Sequence, residues 1–228
     1  MVKANGIGGL KSIVFLKLPI GMAAFLSALL TAAGTIDYWQ AWAVSGALLG
    51  AGFIVGIHFL KADPDFLIHR LQFREKEKIQ RKIVVLTDVF FLAVFVLPGI
   101  DHRFGWSHVP AWLSLFSLAL FLTGYAFIIL VFKINRYASR IVEVQQGQKV
   151  ITTGPYAIVR HPMYAAQILL FPSFLLSLGS WWACLLSVSI VIPLVFRIRN
   201  EENVLSSELP GYREYCEKTR YRLLPHIW

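Results

Sequence analysis

The residues best suited to chemistry lie in the last third of the chain. Residues 152–164 read TTGPYAIVRHPMY, 195–205 read VFRIRNEENVL, and 209–225 read LPGYREYCEKTRYRLLP. In the first stretch Gly154-Pro155 makes a turn. Pro162 falls where a helix would begin, the position at which a missing N–H costs nothing. The unpaired N–H groups of that first turn attract an anionic ligand group, helped by Arg160 and the His161 imidazole. The bland alternative is a cap at a membrane boundary, with Arg160 on lipid phosphate and His161 capping the helix. In the second stretch Arg197 and Glu201 are i, i+4 neighbours, and Arg199 and Glu202 are i, i+3. In the third, Tyr212 and Tyr215 stand one helical turn apart, with Arg220, Arg222 and Pro225 beyond. Aromatic faces beside carboxylates suit a cationic, adenine-bearing ligand; the alternative is an interfacial, salt-bridged tail.

The elements that must position these groups are set by hydrophobicity. Of the 228 residues, 57% are hydrophobic and only 15% charged, with a mean hydropathy of +0.61. Soluble domains carry roughly 45–50% apolar and about 25% charged residues. Several apolar runs reach the ~18–20 residues that cross hydrocarbon as a helix, and the strand alternation of a barrel is absent. The expected fold is an all-α polytopic membrane bundle of about five or six spans, near 18–36, 41–60, 83–100, 111–132, 162–178 and 181–196. Separated only by Gly179-Ser180, the last two form a tight hairpin or a pair of short, tilted helices, and Pro172 and Pro193 predict kinks within them.

All of the chain's 22 Lys and Arg except Arg103 fall on one side of these spans. The positive-inside rule then puts both termini and the charged motifs in the cytoplasm. The net charge of +9 reports topology and contact with anionic lipid, not nucleic acid. Tyr38, Trp39, Trp42, Trp106, Trp112, Trp181 and Trp182 form the interfacial aromatics of the opposite face. Because the 181–196 helix returns to the face where His161 starts, the charged clusters converge at one cytoplasmic pocket. The chain divides into a scaffold, 1–132, and a motif-bearing region, 133–228.

Other candidates are weaker. Residues 61–82 suit a basic amphipathic helix on the cytoplasmic leaflet, or a solvated connector. Asp88 is an intramembrane carboxylate, close enough to Lys82 for water to reach it; His58 and Thr87 read as interfacial. His102 and His108 lack metal-ligand spacing and no metal is expected. Gly6, Gly8 and Gly9 precede no strand, and neither a P-loop nor a Gly-x-Ser-x-Gly elbow occurs. Cys184 and Cys216 read as free thiols. No cleavable signal peptide and no lipidation signal is expected.

The ordered set GPYAIVRHPMY, short hairpin, FRIRNEENVL and LPGYREYCEKTRYRLLP resembles the isoprenylcysteine carboxyl methyltransferase family and its bacterial relatives. Phospholipid N-methyltransferases share much of the pattern. The resemblance covers about 133–228, and DPDFLIHRL upstream also looks like bacterial members. It implies binding of S-adenosylmethionine (SAM) without a Rossmann domain, between the C-terminal membrane helices and the cytoplasmic tail. Matched by motif position, the cofactor contacts would be the strand-like run Gln148-Lys149-Val150-Ile151, then Tyr156, His161, Pro162, Met163, Tyr164, Glu201 and Glu202. Glu143 is a further candidate. Arg197, with Arg199, would hold the methyl acceptor, and Arg197 and Glu201 would carry the catalytic roles.

Methyl transfer from a sulfonium to a carboxylate needs no strong general base, since the acceptor is already anionic. Catalysis then rests on alignment and on fixed charges around the sulfonium. The implied substrate is a lipidic or prenylcysteine-like carboxylate entering from the membrane. The expected partners are membrane lipids and that substrate, and no protein partner is evident. Three alternatives stay open: a phospholipid amine N-methyltransferase, a sterol-type reductase using NADPH with Arg220 and Arg222 on its 2′-phosphate, and a non-enzymatic membrane scaffold.

Overall fold

A computed structural model describes residues 6–70, 96–138 and 142–228. Every described element is a helix, so the all-α architecture holds. The chain opens with α1 (Gly6–Ser12), a π-turn (Ile13–Lys17) and α2 (Leu18–Ala33), which follow without a break. Then come α3 (Trp39–Ala62), α4 (Pro64–Arg70), α5 (described over 96–104) and α6 (Ala111–Ile134). The C-terminal part holds α7 (Pro162–Ser177), α8 (Trp181–Ser187), α9 (Val191–Glu208) and α10 (Tyr212–Lys218).

Four helical stretches are long and apolar enough to cross a membrane: Gly8–Ala33, Trp39–Ala62, Ala111–Ile134 and Trp181–Glu208. The first begins about ten residues before the expected 18, because Lys11 and Lys17 are good helix formers. It ends at Gly34, whose N–H reaches Leu30 O (2.9 Å) and Thr31 O (3.2 Å). Helix α7, at 16 residues, is shorter than a full span and is lodged against α6 and α8. Most of the expected 83–100 span lies outside the described residues, with Thr87, Asp88, residues 71–82 and Arg140. The last span extends well past 196, since the charges of FRIRNEE stay in helix α9.

Gly179 makes the hairpin. Its φ of +81° lies in the left-handed region that side chains avoid, and the following Ser180 caps α8 by accepting the Ala183 N–H at 3.0 Å. A 3-10 turn, Val188–Ile190, tightens the helix just before Pro193, which removes a hydrogen bond from the next turn. At Pro172 α7 runs on to Ser177. Gly99 is needed for close approach: a Cβ there would lie 2.6 Å from Leu29 O and 2.7 Å from Ala32 Cβ.

The main core joins α2, α3, α6, α7 and α8 through Leu29, Val44, Phe121, Phe174, Leu175 and Leu178. A second cluster packs Leu10, Val14, Phe59, Phe66 and Leu67. It turns the apolar residues at the start of the 61–82 segment into the protein, where the sequence suggested a leaflet-facing helix. Phe15, Ile20, Ile54, Phe116, Ile192 and Phe196 point outward, the apolar exterior that a bilayer requires. The chain is therefore an integral membrane helical bundle.

Candidate active site

Helix α9 carries two stripes. Leu194, Ile198 and Glu202, spaced by four, are its buried residues. Arg197, Glu201 and Leu205, also spaced by four, line a cleft. At 3.6 residues per turn, adjacent residues diverge by about 100°, so neighbouring Glu201 and Glu202 face different surroundings. Arg199, two positions from Arg197, is exposed and outside the cleft lining.

On the cleft stripe the two charges meet through a third residue. Tyr164, from the first turn of α7, donates its hydroxyl to Glu201 Oε2 at 2.7 Å and accepts from Arg197 Nε at 2.9 Å. Tyr164 is 4% exposed, so the bridge is set in a low-dielectric wall where charged hydrogen bonds are strong. The i, i+4 pair read from sequence is thus joined through a phenol.

On the buried stripe Glu202 is a hub. Its Oε1 accepts from Arg160 Nε at 2.7 Å and His161 Nε2 at 3.2 Å, and its Oε2 accepts from Arg222 Nε at 2.7 Å. An ionised carboxylate only accepts, so in this contact the His161 proton sits on Nε2. Arg160 also donates from Nη1 to Thr219 O (2.8 Å) and Arg220 O (2.9 Å). The backbone completes the joint, with Arg160 N–H to Tyr221 O and His161 N–H to Arg222 O, both 2.9 Å. Arg222 lies over the Trp228 ring at 5.1 Å. The start of α7, the end of α9 and the C-terminal tail are therefore tied through one buried carboxylate.

This revises three readings. Glu202 lies outside the cleft lining and holds the protein together. His161 occupies the N-cap position of α7 but makes no side-chain cap bond, since its ring is engaged with Glu202. Arg160 is buried among protein groups and does not reach out to lipid.

The remaining walls come from residues 135–138 and 142–156 and from α10. Asn135 donates from Nδ2 to Tyr156 Oη at 2.9 Å. Tyr137 donates to Gly147 O at 3.1 Å, and Gln145 and Gln148 clasp one another through Gln145 N–H to Gln148 Oε1 (2.9 Å) and Gln148 N–H to Gln145 O (3.0 Å). The expected strand-like run 148–151 forms no strand, and the clasp fixes its first residue, Gln148. Tyr215 donates to Tyr156 O at 2.7 Å, and its ring is 5.8 Å from that of Tyr212. Burial pushes both phenols well above their usual range, so they act only as neutral groups.

The cleft, counted together with its open mouth, spans about 840 Å³. Gln148, Lys149, Val150, Ile151, Tyr156, His161, Pro162, Met163, Tyr164, Arg197, Glu201 and Glu143 all line it. Arg199 and Glu202 do not. Asn135, Tyr137, Leu205 and Leu209, which had no assigned place in the site, also line it, together with Tyr212 and Tyr215. Of these, only the two α10 tyrosines gave a signal in the sequence, their spacing of one turn.

Comparison with known proteins agrees with this geometry. Residues 112–209 match the family model described as phospholipid methyltransferase. That stretch, 98 of the chain's 228 residues, holds α7, the hairpin and both stripes of α9. The chain is also similar to a cobalt-zinc-cadmium resistance protein, CzcN, of Cupriavidus metallidurans, 32% identical over 81 residues. The match covers 33% of this chain and 35% of that protein, so the chain spans about a third of the length of that curated relative.

Proposed function

We propose that the protein is an integral membrane methyltransferase that takes SAM in the cleft and methylates a lipidic or prenylcysteine-like carboxylate. The Arg197–Tyr164–Glu201 bridge carries this reading, since it fixes one cation and one anion side by side on a wall of the cleft. SAM, when bound, supplies an electrophilic methyl group on a cationic sulfur. The residues present fit such a ligand: Tyr212, Tyr215, Val150 and Leu205 offer an aromatic and apolar corner for a purine, and Glu201 offers a carboxylate for its cationic half.

Arg197 orients the acceptor carboxylate, and Tyr164 holds Arg197 in place. Gln148, Lys149, Val150 and Ile151, with Tyr156, His161, Pro162 and Met163, enclose the ligand and keep water out. An amine acceptor would arrive protonated and be repelled by Arg197, which favours O-methylation over phospholipid N-methylation. Neither Arg220 nor Arg222 lines the cleft, and Arg222 is engaged by Glu202, which speaks against a 2′-phosphate site for NADPH. The cleft is built from the charged motifs that the distribution of Lys and Arg along the sequence assigns to the cytoplasm, so we place it at the cytoplasmic face, in contact with membrane lipids.

The test is ligand affinity in detergent. The wild type should bind SAM and S-adenosylhomocysteine but not NADPH, and Glu201→Ala should weaken SAM at least tenfold, the loss of a charge-assisted contact. NADPH binding alone would sink the proposal, and binding of none of the three would favour a scaffold.

A further inference from the structure

Five tyrosines line the cleft: Tyr137, Tyr156, Tyr164, Tyr212 and Tyr215. Four have hydroxyls engaged by the protein, with Gly147 O, Asn135 Nδ2, the Arg197 and Glu201 pair, and Tyr156 O respectively. Tyr212 differs. It is only 4% exposed, and its buried hydroxyl oxygen has no hydrogen-bond partner among the described residues. The neighbouring Cys216 thiol, one turn on in α10, lies close enough to interact with it, but sulfur is only a weak acceptor and leaves most of the hydroxyl's hydrogen-bonding capacity unmet. Leaving a buried hydroxyl unmade is costly, whereas phenylalanine would fill the same space without that cost.

Resting on the reading that the cleft takes SAM, we propose that Tyr212 is a specificity-determining residue whose hydroxyl donates to a neutral acceptor of the ligand's nucleoside half, a ring nitrogen or a ribose oxygen. Its surroundings select that half. Tyr212 packs with Leu209 and Tyr215, and Val144, Val150 and Leu205 pack around them, an environment for a purine. Burial and the nearby Glu202 and Glu201 keep the phenol protonated, against a smaller opposing effect of Arg160, so it is a donor at any working pH. The same two carboxylates disfavour a ligand carboxylate at this point and leave the uncharged acceptors of the nucleoside.

Tyr212→Phe removes one oxygen and nothing else. Titration of the full-length protein in detergent with S-adenosylhomocysteine, and with adenosine as a competitor, should show both weakened by a similar factor of about five- to tenfold, the usual worth of one hydrogen bond. The thermal midpoint without ligand should be unchanged or higher, since an unmet polar group has been removed. Tyr215→Phe is the control: its hydroxyl is used by Tyr156 O, so its ligand-free midpoint should fall. Wild-type affinity in Tyr212→Phe would overturn the proposal. A penalty seen with S-adenosylhomocysteine but absent with adenosine would overturn the nucleoside assignment, and a lowered ligand-free midpoint would show that the hydroxyl is structural. A wild type that binds neither SAM nor S-adenosylhomocysteine would remove the premise, a failure visible before any variant is made.

Discussion

Each end of the helical bundle has a buried carboxylate that joins separate helices, yet the two ends are built differently. At the end bearing the exposed tryptophans, Asp101 is 1% exposed. Its Oδ2 accepts from Ser107 Oγ at 2.7 Å and from Ser180 Oγ. Ser107 in turn accepts the Trp181 N–H at 3.0 Å. Nearby, Tyr38 donates to Leu178 O and stacks on His102 at 4.2 Å. Neutral donors do the joining there. At the other end Glu202 gathers two arginines and a histidine, and the cleft opens beside it. A buried carboxylate among helices is therefore no signature of function. What separates the ends is that charged and phenolic side chains line a cleft beside Glu202.

The comparison breaks most readily at Glu202. Its loss would leave Arg160, whose side chain is 7% exposed, charged and unpaired, at a cost of about 3–5 kcal/mol. Glu202→Ala should lower the thermal midpoint in detergent by roughly 10 °C and free the tail that ends at Trp228. Glu202→Gln, which keeps one acceptor, should fall between. An alanine variant that melts like the wild type while losing SAM would mean that Glu202 belongs to the ligand after all, as its place in the sequence suggested.

That misplacement shows what a sequence can and cannot carry. Helix existence follows from apolar runs, and Gly179-Ser180 marks the hairpin through conformational and capping rules that are local. The Arg197–Glu201 pairing follows from helical period. Which stripe of α9 turns inward depends on packing against α7 and the tail. The clue was the spacing of Leu194 and Ile198, which carries the buried stripe on to Glu202; adjacency to Glu201 pointed the other way. The joint between residues 160–161 and 221–222 has no local signal, because it joins irregular backbone some 60 positions apart. Asn135 and Tyr137 were missed for a similar reason: their roles depend on partners at Tyr156 and Gly147.

The Asp101 end supplies the intermediate effect. Asp101→Ala leaves the hydroxyls of Ser107 and Ser180 without their acceptor, a cost of about 1–3 kcal/mol. Asp101→Asn keeps one acceptor and should cost less. In both variants SAM affinity should match the wild type, read by titration at a temperature where each remains folded. A loss of affinity in Asp101→Asn would show that the two ends are coupled and that the distinction between them is wrong.

The smallest effect is expected at the ion pair between α4 and the α6 end, where Arg136 Nη2 lies 3.2 Å from Asp63 Oδ2. Its side chains are 64% and 28% exposed, and exposed pairs contribute roughly 0–1 kcal/mol. Arg136→Ala should therefore change the midpoint by about 1 °C or less. Asp63 does more, because its Oδ1 accepts the Phe66 N–H at 3.1 Å, with Pro64 opening α4 behind it. Losing such a cap costs about 1 kcal/mol, so Asp63→Ala should exceed Arg136→Ala. Raising the salt concentration should erase the Arg136 effect and leave the capping effect intact. Equal, salt-sensitive losses in the two variants would show instead that charge, and not the cap, holds α4 against the bundle.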